Sequence, residues 1–153
     1  MSDLTVRQPW AWAIIHGGKD VENRSRSIAG SYRGPVAIHA GLMPDLGAFV
    51  FPEMVGSIAM TKLFEPSSQW FSNSRTGHII GVVDLVDVHV SDTHAERWNV
   101  ELGRNEQCSA WAMPNHHHLV LANPRAIEPI PAKGKLGLWK PDAELLAQIE
   151  RAQ

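Results

Sequence analysis

Apolar residues in this chain fall in short runs broken by Gly and Pro, not in long amphipathic stripes, and that pattern predicts strands. Leu4-Thr5-Val6 reads as a short strand. Pro9 to His16 reads as a short helix, with Pro at the favoured first position and Ile14-Ile15 facing a core. Gly17-Gly18 stops it, because Gly reaches the left-handed backbone that ends a helix. The residues after such a stop are expected to be extended, so Glu22 and Arg24 share a face, with Asp20 beside them. Pro35 to Ala40 is a strand bounded by Gly34 and Gly41. His78 to Val90, nearly continuous in Ile, Val and Leu, is the clearest strand. Asp84 and Asp87 face opposite sides of it, and one is expected inside, where a carboxylate needs a partner.

His117 to Ala122 is a further strand. Pro124, Pro129 and Pro131 keep the next segment extended and unpaired on one side. Gly137 to Trp139 is a last short strand, and Pro141-Asp142 opens a terminal helix, about 142–152, with Leu145, Leu146 and Ile149 on one face. Between these elements the pattern is weaker. Gly47, Pro52 and Gly56 interrupt the apolar stretch from Pro44 to Met60, a polar loop carries Trp70 and Phe71, and Thr93 and Glu96 have capping-box spacing. The fold class expected is mixed α/β, mainly β: a small closed or partly closed barrel with flanking short helices.

Composition narrows the picture. A chain of 153 residues has room for one domain, spanning 1–153. Its 44% apolar and 20% charged residues are those of an ordinary globule. Six Trp against one Tyr suggest several large packing or stacking centres. The single Cys108 cannot form an internal disulfide, which with the lack of a signal segment gives an expected cytoplasmic setting. No apolar stretch approaches the ~20 residues that span a bilayer, so no membrane partner is expected. The formal charge of −2 argues against non-specific coating of nucleic acid but leaves room for a local basic cleft.

The densest chemistry lies between Lys19 and Arg24. A fixed carboxylate–guanidinium pair at a helix-to-strand junction suits recognition of a base edge or a phosphate. The same spacing also fits a solvated ion pair worth under about 1 kcal/mol. In His116-His117-His118 only the outer two share a strand face, and no Cys pair or His-Glu-x-x-His pattern completes a zinc set, so no metal site is expected. Cys108 has no marked base nearby and reads as a small buried thiol. Gly17-Gly18-Lys19 lacks the spacing of a phosphate loop, and no cofactor is expected.

Arg7-Gln8-Pro9-Trp10-Ala11, then Gly18-Lys19-x-x-Glu22-x-Arg24, then Arg33-Gly34-Pro35-Val36-Ala37-Ile38-His39-Ala40 resembles the opening of an ASCH domain, the family named for activating signal cointegrator 1, within the PUA-like superfamily. Gly81-Val82-Val83-Asp84-Leu85-Val86-Asp87 resembles its central strand. Leu119-Val120-Leu121-Ala122-Asn123-Pro124-Arg125, Pro129-Ile130-Pro131-Ala132-Lys133-Gly134 and Leu138-Trp139 resemble its closing segment. The core would be about 4–140, with insertions at about 42–74 and 91–113.

The resemblance implies a PUA-like pseudobarrel whose cleft receives single-stranded RNA, another single-stranded nucleic acid or a modified nucleoside. The family's Gly-x-Lys-x-x-x-x-Arg signature falls on Gly17, Lys19 and Arg24. The nucleic-acid-binding set it implies is Arg7, Gln8, Trp10, Lys19, Glu22, Asn23, Arg24 and Trp139. Lys19 and Arg24 would meet phosphate or a carbonyl, and Glu22 and Asn23 a base edge. Trp10 or Trp139 would stack on a base, at ~1–3 kcal/mol.

An alternative reading is an RNA- or nucleoside-directed hydrolase, with Lys19, Glu22 and His39 as catalytic candidates. Family members that look like acetylcytidine amidohydrolases use a Lys, a Thr and a Glu. Here Lys19 matches, Glu22 stands where Thr is expected, and Trp98 stands near the Glu position, with Glu96 and Glu101 beside it. A third reading is a protein-interaction adaptor.

Overall fold

The computed structural model describes residues 1–45, 47, 75–90, 98–99, 104–105 and 108–153. The expected features beyond Gly47, the loop carrying Trp70 and Phe71, and the Thr93–Glu96 turn lie outside these residues. In chain order the elements are β1 (Ser2–Val6), α1 (Trp10–His16), β2 (Val21–Arg24), β3 (Gly34–Ala40), β4 (His78–Val90), β5 (Trp98–Asn99), β6 (Arg104–Asn105), β7 (His117–Pro131), β8 (Leu138–Trp139) and α2 (Ala143–Ala152). Six strands form one sheet in the order β2-β7-β4-β3-β1-β8. Among the described residues only the β1–β3 pair is parallel; β5 and β6 make a separate ribbon. The fold is mixed and mainly β, a sheet curled into a half-barrel with two short helices.

Curvature comes from β4 and β7. Their pairing slips between Ile79 and Gly81, between Val82 and Asp84, and between Leu85 and Asp87. Each bulge adds bend and right-handed twist, which lets two long strands wrap instead of lying flat. Gly81 sits at one of these slips and has a further reason to lack a side chain. A Cβ there would lie 2.5 Å from Ile15 Cδ1 and 2.7 Å from the Arg125 carbonyl oxygen. β7 runs on to Pro131, further than the run to Ala122 that the apolar pattern alone marks. Beyond Leu121, whose amide still donates to the Asp20 carbonyl, it has β4 on one side only, so its prolines cost no ladder bond there.

Strand alternation gives the sheet two apolar faces. Val36, Ile38, Val83 and Leu85 turn inward with Leu4, Val6 and the α1 residues Ala11, Ile14 and Ile15. Ala37, Ile79, Val82, Ile127 and Ile130 turn the other way and are covered by Ile149 and Leu145 of α2. Asp142 caps α2, its side chain accepting from the Leu145 amide at 2.9 Å. α1 has no cap of that kind. Its first-turn donors are met instead by the Arg7 carbonyl, which accepts from the Trp10 and Ala11 amides, and by Gln8, which is 2% exposed and whose Oε1 accepts from the Trp12 amide at 3.0 Å.

The carboxylates of β4 are not inside. Asp84 lies at the surface, where Arg125 (2.9 Å) and Asn123 (2.9 Å) hold it and lower its pKa, and Asp87 is exposed beside His89. Val83 and Leu85 on either side of Asp84 pack inward, so alternation turns Asp84 to the opposite face, and the bulge between Leu85 and Asp87 puts Asp87 outside as well; the expected inward carboxylate is corrected. A buried aspartate is found instead on β1: Asp3 is fully inaccessible, with neither oxygen hydrogen-bonded. Burial raises its pKa to about 7, against the opposing pull of the chain amino terminus and Lys135.

For an acid raised on folding, the stabilisation is complete below the unfolded value and is lost as pH rises through the folded one. Stability should therefore fall by on the order of 1 kcal/mol per unit between about pH 4 and pH 7 from this group alone. Asp3→Asn should flatten that slope and unfold at a higher urea concentration than the parent at pH 8. Identical pH profiles for the two proteins would show that Asp3 is ionised in the fold.

Candidate functional site

The stop of α1 builds the site. Gly17 and Lys19 both donate their amides to Ala13, and Gly18 takes φ +73°, so the chain leaves the helix in a tight reversal. That reversal aims Lys19 inward, where it is 5% exposed, and starts β2 two residues later. On β2, Glu22 and Arg24 share a face. Lys19 Nζ lies 3.0 Å from Glu22 Oε2, and Arg24 Nε lies 3.1 Å from Glu22 Oε1. Lys19 also donates to the Val21 carbonyl. Arg24 Nη2 donates 2.8 Å to the carbonyl of Thr5 on β1, across the side of the sheet that no backbone pairing closes.

These three residues line a cleft of about 630 Å³ between β2, β1 and the turn before β8. Its cationic side chains are Arg7, Lys19, Arg24 and Lys135, against the carboxylates of Glu22 and Asp45. Thus a chain of net charge −2 carries a locally positive cleft. Trp10 and Trp111 stand on its wall with ring centroids 6.4 Å apart, edge to face. Trp10 Nε1 donates to Asp45 Oδ2 at 2.9 Å, which fixes the ring.

Other residues of the expected set take different positions. Asn23 lines the cleft, but its amide donates to the Trp111 carbonyl (2.9 Å) and accepts from the Met113 amide (2.8 Å). It holds a wall of the cleft, which leaves little of it to read a base. Gln8 is committed to α1. Trp139 is buried at β8, outside the cleft lining, under the Lys135 ammonium at 5.2 Å. His39 also lies outside the lining. Its Nε2 bonds the Ala132 carbonyl at 3.0 Å, and Gly134 covers it so closely that a Cβ there would meet its ring at 2.6 Å. Burial lowers its pKa. Asp20 faces away and accepts from Ser109.

Trp111, Met113, Asp45 and Lys135 are cleft residues that sequence reasoning missed. The first two fall in a stretch read as an insertion, and only their pairing to Asn23 reveals them. Cys108 is exposed, not buried as expected; desolvation and the carboxylates of Asp20 and Asp87 raise its pKa. His118 is the inward member of the His116–His118 run, 2% exposed. Among the described residues, no helix is long and apolar enough to cross a membrane.

The ASCH domain profile matches residues 4–131. Among solved structures, a point variant of the ASCH protein of Zymomonas mobilis is 15% identical, with a TM-score of 0.56 over 99% of this chain and 98% of the other. The unaltered Zymomonas mobilis protein gives 14%, 0.53, 99% and 95%. At such identities the likeness speaks for the fold alone. Comparison with curated proteins gives no match.

Lys19→Ala should leave the Glu22 carboxylate buried with one cation in place of two, at a cost of roughly 3 kcal/mol in urea unfolding. The double change Lys19→Met with Glu22→Leu should recover most of that loss, because no unpaired charge then remains inside. A single-variant cost below about 1 kcal/mol would mean that the cluster behaves as a solvated surface pair.

Proposed function

The chain belongs to the ASCH domain family, and on that premise we propose that it is a cytoplasmic nucleic-acid-binding module that holds one base or modified nucleotide of a single-stranded RNA in the cleft beside Lys19, Glu22 and Arg24. The observation that carries this reading is a buried cluster rich in spare donors next to two tryptophans. Lys19 spends two of its three donors, on Val21 and Glu22, and Arg24 one N–H on Thr5. The donors that remain suit a phosphate or a base carbonyl such as those of uracil, cytosine or guanine.

In this reading Glu22 orients the two cations and is not itself a reader of bases, since both its oxygens are already engaged. The cleft volume suits a single nucleotide and not a duplex. A splayed base in a single strand can enter it and meet the Trp10 or Trp111 ring. Arg7 and Lys135 are exposed and make no ion pair among the described residues, so they are the groups to meet flanking phosphates. Hydrolysis of acetylcytidine is not expected: a carboxylate stands three residues after Lys19 where a hydroxyl is needed, and His39 is covered.

Fluorescence anisotropy with a short single-stranded RNA tests the reading. With two or three phosphates contacted, log affinity should fall with log salt at a slope of about −1.5 to −2. Arg7→Ala and Lys135→Ala, both at exposed positions, should each weaken binding roughly three- to tenfold and make the slope shallower. Lys140→Ala, outside the cleft lining, should change neither. Equal effects from all three would mean diffuse attraction with no site. Release of acetate from acetylcytidine, dependent on Lys19, would replace this reading with the hydrolase.

A further inference from the structure

A second cluster lies outside the cleft, where β4 ends beside the start of β7. His89 and His118 are direct cross-strand partners there, and Cys108 comes in from the segment before β7. From this arrangement we infer that His89, Cys108 and His118 form a transition-metal site, suited to zinc. One ligand-capable atom from each lies within 4.8 Å of the others. Cys108 Sγ is 3.3 Å from His118 Nδ1. That is close to the ~3.5 Å edge that a thiolate and an imidazole span around a tetrahedral zinc.

The second observation is how the rings are held. His118 Nε2 lies 2.7 Å from the Met113 carbonyl oxygen, which can only accept. The ring hydrogen therefore stands on Nε2, and Nδ1 keeps its lone pair toward Cys108. His89 Nδ1 lies 3.1 Å from Asp87 Oδ2, which leaves Nε2 as its free lone pair. Each imidazole thus has its distal N–H held by a carbonyl or carboxylate, as the ligating histidines of metal sites do. The two rings pack edge to face with centroids 5.2 Å apart.

Two imidazoles and one thiolate make a borderline-soft donor set that prefers zinc over calcium or magnesium. On binding, the Cys108 S–H bond breaks, its proton passes to solvent, and sulfur and both ring nitrogens each give a lone pair to the metal. A fourth position remains for water, because Cys108 is at the surface. The metal would join β4 and β7 to the segment that carries Trp111 and Met113. It would tie one wall of the cleft to the sheet, whatever the cleft binds.

Chelator-treated protein should be titrated with zinc against a chromophoric chelator, and with cobalt followed by its thiolate charge-transfer absorption. The expected result is about one metal per chain with a clear thiolate band. Cys108→Ser should abolish the band, His89→Ala should weaken binding strongly, and Asp87→Asn should weaken it ~10–100-fold. Circular dichroism would verify that each variant is folded. The double variant His116→Ala with His117→Ala should bind as the parent does. A missing thiolate band in the parent protein would overturn the inference. So would binding that survives loss of both Cys108 and His89, or that vanishes with His116 and His117. None of these readouts involves nucleic acid, so the nucleic-acid reading stands or falls separately.

Discussion

One guanidinium spans the gap that the backbone leaves open. β2 and β8 are the two edges of the sheet, and no ladder joins them into a closed barrel. Arg24 reaches from β2 to the Thr5 carbonyl of β1 and at the same time stands against Glu22, which Lys19 holds from the other side. The charged chain thus does at the open side what hydrogen-bonded strands do elsewhere. Its position follows from the helix stop at Gly17-Gly18, where Gly18 takes a positive φ and the Lys19 amide turns back to the Ala13 carbonyl.

Such a cluster is costly to build and specific once built. Charges taken from water must find partners, and here each finds a charge and a backbone carbonyl or a neighbouring cation. The surrounding apolar clusters reduce screening, so the field of Lys19 and Arg24 reaches into the cleft with more strength than exposed residues would give it. This is how a chain with slightly more acidic than basic residues can present a cationic cavity.

Much of this was legible in the sequence, for identifiable reasons. The strands β1, β3 and β4, the helix α1 with its stop, and the capped α2 follow from short apolar runs, Gly and Pro punctuation and Asp142. The shared face of Glu22 and Arg24 follows from strand alternation alone. What periodicity could not show were long-range pairings. The bulge that turns Asp87 outward depends on how β7 pairs with β4. The commitment of Asn23 to Trp111 and Met113 spans about ninety residues of chain. The Gln8 side chain accepts from the Trp12 amide of α1, a contact that no local pattern marks. The meeting of His89 with His118 needs a register that no local pattern encodes.

Asp45 links the cleft to the long connection between β3 and β4. Its amide donates to the Gln8 carbonyl at 2.7 Å, its carboxylate takes the Trp10 indole, and Gly47 after it also lines the cleft. The connection therefore sets out from the mouth of the cavity, at a point clamped to α1. Replacing Asp45 would free the Trp10 ring at this anchor, while every strand pairing stayed as it is. One residue thus couples the posture of an aromatic wall to the point where the chain departs from the sheet.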